Sequence, residues 1–150
     1  MTKIEQPIWF KKAILNEPKK LSIRVKGVKI FYNAWGEKDN PGILFVHGGM
    51  AHADWWNFIA PYFIKTHRVI AMNLGGMGDS EWRKEYSTET WGIEIESICK
   101  KEKLKKPIVV GHSLGGMCGV YAASIMKKNL YGLIIVDTAI MPPSDNPPKF

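Results

Sequence analysis

The chain is poor in cysteine, with Cys99 and Cys118 alone among 150 residues, and it has only four histidines. No C-x-x-C pair occurs, and His47 and His52 lie five apart across a glycine loop, a poor arrangement for chelation from one helix face. Zinc-type and disulfide-framework readings fall away, and no metal site is expected. The opening stretch, "MTKIEQPIWFKKAI", lacks the long apolar core of a secretion signal, and no run reaches the roughly 20 apolar residues of a membrane helix. Reduced thiols in the cytoplasm, with no membrane partner, are the expectation. Gly76-Met77-Gly78 lacks the third glycine of a dinucleotide fingerprint, and no G-x-x-x-x-G-K-[ST] loop occurs, so no organic cofactor is implied. No internal repeat is visible.

Charge of one sign is abundant. The net charge is +7, carried mostly by lysine in clusters such as Lys11-Lys12, Lys19-Lys20 and "KKEKLKK" from Lys100 to Lys106. None of these interleaves with aromatic residues and no nucleic-acid module signature appears, so a solvated face is the reading and no nucleic acid is expected as partner. Hydrophobic content of 45% is ordinary for a globular domain.

Along the chain, "LSIRV" and "KIFYNAWG" flank Lys26-Gly27-Val28 and predict a hairpin. "GILFV" has the unbroken apolar character of a strand buried on both faces. Trp55, Phe58, Ile59, Tyr62 and Phe63 fall at helical spacing, with Asp54 as candidate N-cap and Pro61 a kink or stop. "HRVIAMN" predicts the next strand. Ser87 or Thr88 can then cap a helix with Trp91, Ile95, Ile98 and Cys99 on its apolar face. "PIVVG" predicts a strand, Leu114, Met117, Cys118, Tyr121 and Ile125 a buried helix, and "LIIVDT" the last strand. The tail, "MPPSDNPPKF", carries four prolines and cannot continue helix or central sheet. Strands alternating with helices after a hairpin predict an α/β fold with a mostly parallel, doubly wound sheet.

In open α/β sheets ligand chemistry collects at the carboxyl ends of the strands. Three loops fall there: His47 to Met50, Gly75 to Ser80, and Gly111-His112-Ser113-Leu114-Gly115. In the last, a strand turning at once into a helix forces the corner residue into a strained conformation. Its neighbours two before and two after approach so closely that only glycine fits, and the serine oxygen is held beside the helix N-terminus. Ser113 is thus the candidate nucleophile. The His47 loop can supply an oxyanion donor, with Gly49 the foremost candidate, joined by the Leu114 N–H. His47 itself reads as ordering its loop rather than as a base. Met50 and His52 are candidate pocket residues, while Trp55, Trp56 and Trp82 are as readily core or surface aromatics.

"ILFVHGG", "RVIAMNLGGMGDS", "PIVVGHSLGG" and "LIIVD" resemble, in order, the core segments of the α/β-hydrolase fold superfamily across about residues 21–141. The resemblance implies Ser113 as nucleophile, Gly49 and Leu114 as the oxyanion hole, and a small-molecule ester, thioester or related carbonyl substrate. Asn73 stands where the family commonly has Asp. Serine at the elbow points away from the dehalogenase and epoxide-hydrolase branches. The family's triad runs Ser, then Asp or Glu, then His, yet no histidine follows His112. His52 alone of the four could approach the pocket, and Asp137 reads as structural. The expectation is therefore an N-terminal, nucleophile-bearing half: a hydrolase core over residues 1–141, truncated after the strand at Leu133–Asp137, and the Pro-rich start of a cap region over 142–150. A non-catalytic binding or interaction domain is the competing reading. The last strand should form an exposed edge, open to self-association or to a complementary chain.

Overall fold

The computed structural model describes residues 5–139, so the Pro-rich stretch 142–150 lies outside the described residues. In chain order the elements are α1 (Ile8–Ile14), β1 (Lys19–Val25), β2 (Val28–Trp35), β3 (Gly42–Val46), β4 (Arg68–Met72), α2 (Thr88–Lys101), β5 (Ile108–His112), α3 (Leu114–Met126) and β6 (Gly132–Val136). The hairpin β1–β2 closes at Lys26 and Gly27, with φ of 45° and 81°. Two successive left-handed residues give the tight turn whose twist matches a hairpin. Strand order is β1-β2-β4-β3-β5-β6. The hairpin joins antiparallel at β2–β4, and β4, β3, β5 and β6 run parallel. The expected α/β fold with a hairpin feeding a parallel sheet is the observed one.

Both faces of the central strands are covered, which is why β3 and β4 are apolar at every position after their first residues, Gly42 and Arg68. Leu44, Val46, Ile70, Met72 and Val109 pack under α2 and α3, against Trp91, Ile95, Ile98, Cys118 and Ala122. Ile43, Phe45, Val69 and Ala71 face the other way, under Ala53, Trp56, Ile59 and Ala60. Ser87 caps α2, its Oγ accepting the Thr90 N–H at 3.2 Å. Past the helix end, the Leu104 N–H reaches back to the Cys99 carbonyl at 2.9 Å.

The helix expected from Trp55 to Phe63 is not there. Two 3₁₀ segments, Ala53–Trp56 and Ala60–Tyr62, take its place. Pro61 cannot donate an amide hydrogen and crowds the preceding turn, and the N–H groups of Asn57, Ile59 and Tyr62 bond three residues back. Asp54 is not a cap. Its Oδ1 accepts from Asn33 Nδ2 at 2.7 Å, tying the segment to β2. Helix α1 was not anticipated: it buries only Ala13 and so carries no amphipathic period.

Candidate active site

The strand-to-helix corner is built from close approaches. Ser113 follows β5 and precedes α3, with φ 50° and ψ −117°. A Cβ on Gly111 would overlap the Gly115 carbonyl, and one on Gly115 would lie 2.5 Å and 2.6 Å from the Val46 and His47 carbonyl oxygens. Both neighbours are backbone and cannot yield, so the two glycines are required by steric fit. The corner is also clamped to β6. The Ser113 N–H donates to the Val136 carbonyl at 2.9 Å, and the Thr138 hydroxyl donates to the Ser113 carbonyl at 2.9 Å. Thr138 went unnoticed in the sequence, where a threonine after a strand gives no signal.

The loop after β3 lies against this corner. A Cβ on Gly48 would sit 2.8 Å from His112 Nδ1 and 3.3 Å from the Ser113 Cβ, so glycine lets the loop reach the serine. One on Gly49 would meet only Leu114 Cδ2, at 3.9 Å. Gly48, Gly49, Ser113 and Leu114 are therefore neighbours, with Gly49 exposed and Gly48 buried.

His47 fixes the loop. Its Nε2 lies 3.1 Å from the Leu74 amide nitrogen and its Nδ1 2.7 Å from the Gly48 carbonyl. The Leu74 N–H can only donate, so Nε2 accepts and the ring proton sits on Nδ1, donating to Gly48. Burial pushes its pKa down to about 4, against the opposing pull of the Gly48 carbonyl. A neutral ring with both nitrogens engaged joins the β3 and β4 loops and is not free to act as a base.

The other histidines are dispersed. His52 is exposed, its Nδ1 3.8 Å from Asp54 Oδ2. His67 contacts Thr66 Oγ1. His112 lies edge-on to Trp55, ring centroids 5.2 Å apart, and its buried Nδ1 has no hydrogen-bond partner. Among the described residues, no histidine ring bonds to Ser113. Asp137 is exposed, with φ 49°. No group of three or more His, Cys, Asp and Glu side chains gathers as metal ligands among the described residues, and no helix there is long and apolar enough to cross a membrane.

The Gly75 loop is held by α2. Glu94, fully buried, accepts the Gly75 N–H at 2.9 Å and both Nε (3.1 Å) and Nη2 (2.6 Å) of Arg83. Arg83 also donates to the Val25 carbonyl of the hairpin, and Trp91 Nε1 donates to the Gly75 carbonyl. Sequence reasoning missed this pair, because charged residues on a helix read as solvent-facing. Met50, φ 56° and 99% exposed, overhangs an apolar groove of about 460 Å³ walled by the Gly75 loop, Trp82, Tyr86 and Trp91.

A serine at a strained strand-to-helix corner, flanked by a glycine loop on a parallel sheet, defines a class of α/β proteins built to present one side chain. The sequence profile of the alpha/beta hydrolase fold family matches residues 41–149, and the chain belongs to that family. It is 27% identical over 120 residues to Epoxide hydrolase 4 of Homo sapiens, covering 77% of this chain and 33% of that protein. With Non-heme chloroperoxidase of Streptomyces lividans it shares 30% identity over 92 residues, 60% of this chain and 33% of the relative. The thioesterase domain from the curacin biosynthetic pathway superposes with a TM-score of 0.76 at 26% identity, covering 87% of this chain and 50% of that one. The chain thus spans about a third of the length of these curated relatives.

Proposed function

We propose that the protein is a serine hydrolase acting on an ester, thioester or related carbonyl through Ser113, with the Gly49 and Leu114 N–H groups receiving the oxyanion. The observation that carries this is the Ser113 backbone, at φ 50° and ψ −117°, clamped by glycine contacts and by Thr138. A non-glycine residue held in so sparsely populated a region costs stability and is retained where the strain serves a function. In the reaction, the serine oxygen adds to the carbonyl carbon, its proton passes to a base, and collapse expels the alcohol or thiol to leave an acyl-serine that water cleaves. The same oxygen attacking an epoxide would yield a dialkyl ether, which water does not open, so the epoxide chemistry in one relative's name does not transfer. The substrate is a small molecule, and the attack draws only on the protein's own hydroxyl and amides. Two buried, unpaired cysteines favour a reducing, cytoplasmic setting.

Attack by Ser113 needs a neighbouring base to accept its proton. No histidine follows Ser113 in the sequence, and His52 pairs with Asp54. Among the described residues no histidine ring bonds to Ser113, and this arrangement favours the second reading, a non-catalytic binding domain on the same fold. A fluorophosphonate reagent separates the two. Stoichiometric labelling, lost in Ser113→Ala, is expected. An inert Ser113 in the folded chain would establish the binding-domain reading. Labelling is expected to be slow and steady-state turnover of p-nitrophenyl acetate low, since both need a base beside the serine and removing the histidine of such a site costs on the order of a million-fold in turnover. Loss of residual turnover in His52→Ala would identify His52 as the base.

A further inference from the structure

We propose that the chain carries a second site, for a compact polyvalent phosphate, at the end of the sheet away from Ser113. A cavity of about 420 Å³ opens there between two loops. Lys38, Asp39 and Asn40 line it from the loop between β2 and β3, and Lys101, Glu102, Lys103 and Lys105 from the end of α2 and the link to β5. These residues lie at the amino ends of the parallel strands, whereas Ser113 follows the carboxyl end of β5. Glu102 is not available to the lysines. Its side chain is 6% exposed, its Oε2 accepts Arg68 Nη2 at 2.6 Å and Nε at 3.1 Å, and its Oε1 accepts the Tyr32 hydroxyl at 2.7 Å. Four ammonium groups are left against the Asp39 carboxylate, and among the described residues none of the four forms an ion pair.

The end of α2 does not account for this charge. A helix C-terminus carries about half a negative charge, and Lys38 comes from a different element. The last carbonyls are also already satisfied, those of Ile98, Lys100 and Cys99 accepting the N–H groups of Glu102, Lys103 and Leu104. The last two bonds make a Schellman ending, in which the left-handed residue past the cap is usually glycine. Here that residue is Lys103, at φ 55°. A side chain in this region costs stability, and this one sets an ammonium on the cavity wall. The lining holds no aromatic ring and no hydrophobic residue, so nothing there stacks on a nucleobase or shelters a hydrocarbon chain. Ammonium groups act as point donors to phosphate oxygens. An exposed lysine gains little from a single opposite charge. A ligand carrying several charges within one cavity engages the lysines of both loops at once.

Calorimetric titration of sodium tripolyphosphate into the full chain at physiological salt tests the site without relying on chemistry at Ser113. Saturable binding at one equivalent is expected. Lys103→Gly should weaken it about tenfold and leave the urea midpoint no lower, because glycine suits the left-handed residue. Lys38→Ala, on the facing loop, should weaken it by about the same factor. Lys26→Gly is the matched control. It removes one lysine from another left-handed position, φ 45°, in the β1–β2 turn at the opposite end of the sheet, and should leave affinity unchanged. Adenosine triphosphate should bind no tighter than tripolyphosphate, since its base finds no wall to stack on. Absence of saturable binding, or affinity unaffected by Lys103→Gly or by Lys38→Ala, would overturn the site. Equal weakening by Lys103→Gly and Lys26→Gly would overturn it too, assigning binding to the net charge of +7 as a whole. Tighter binding of adenosine triphosphate than of tripolyphosphate would overturn the choice of a compact ligand.

Discussion

At Ser113 the backbone conformation suits glycine, while the proposed chemistry requires serine. A side chain at φ 50° and ψ −117° carries strain of about 1 kcal/mol or more. Ser113→Gly should therefore raise the urea midpoint, by about 1 kcal/mol in stability, while abolishing fluorophosphonate labelling; a lowered midpoint would show the corner to be unstrained. His47 gives a pH signature. Its folded pKa, about 4, lies below the ordinary value of 6.5, so between these values the unfolded chain binds a proton that the folded one refuses. The stability it contributes is complete above about pH 6.5, declines as pH falls toward about 4, and is flat below. The full loss is about 3 kcal/mol. In His47→Gln the slope across that window should shrink in urea titrations at successive pH values, and an unchanged slope would assign it to other groups. The glycine bracket around Ser113 was legible because steric exclusion writes itself directly into residue type. His47's role was legible only in part, since its partner, the Leu74 N–H, is a backbone group with no sequence signature.

Among the elements, the buried Arg83–Glu94 pair does what no single strand or helix does. It fastens α2 to the hairpin carbonyls and to the loop after β4. Burial pushes the Glu94 carboxyl up, while the Gly75 N–H and Arg83 pull it back. Removing one partner strands the other charge in a dry site, which costs about 3–5 kcal/mol. Arg83→Ala should thus lower stability far more than Arg24→Ala, whose exposed pair with Glu81 contributes little. Thermal unfolding of the two variants side by side decides it, and equal midpoints would refute the argument. Strands and major helices were legible because apolar runs and 3.6-residue periods reflect burial directly. The segment 53–63 misled because aromatics at helical spacing can equally be buried by 3₁₀ turns, and only Pro61 hinted at the break. That β4 lies between β2 and β3 was not legible, since strand order is set by long-range register rather than by local pattern.

For the whole molecule, the decisive feature is the outer strand. Among the described residues β6 pairs only with β5 and is one edge of the sheet, β1 being the other. Leu133 and Ile135 face α3, close against Gly119 and Gly116. Ile134 and Val136 point the other way, 51% and 41% exposed. The strand therefore offers unpaired backbone groups together with an apolar stripe, the combination that templates pairing with another chain. A second copy can meet it antiparallel about Ile134, setting Ile134 against Ile134 and Leu133 against Ile135, so that side chains of like character share each face. Opposing this is the net charge of +7 on each copy, a repulsion that salt screens within about 8 Å at physiological ionic strength. Self-association at micromolar concentration should consequently strengthen as salt is added, the reverse of an interface held by ion pairs. Ile134→Lys should abolish it, with little change in the unfolding midpoint because the side chain is already half in water. Sedimentation velocity across concentration and salt reads both effects. A monomer at every concentration and salt level would refute pairing through β6, and association unaffected by Ile134→Lys would place the interface elsewhere.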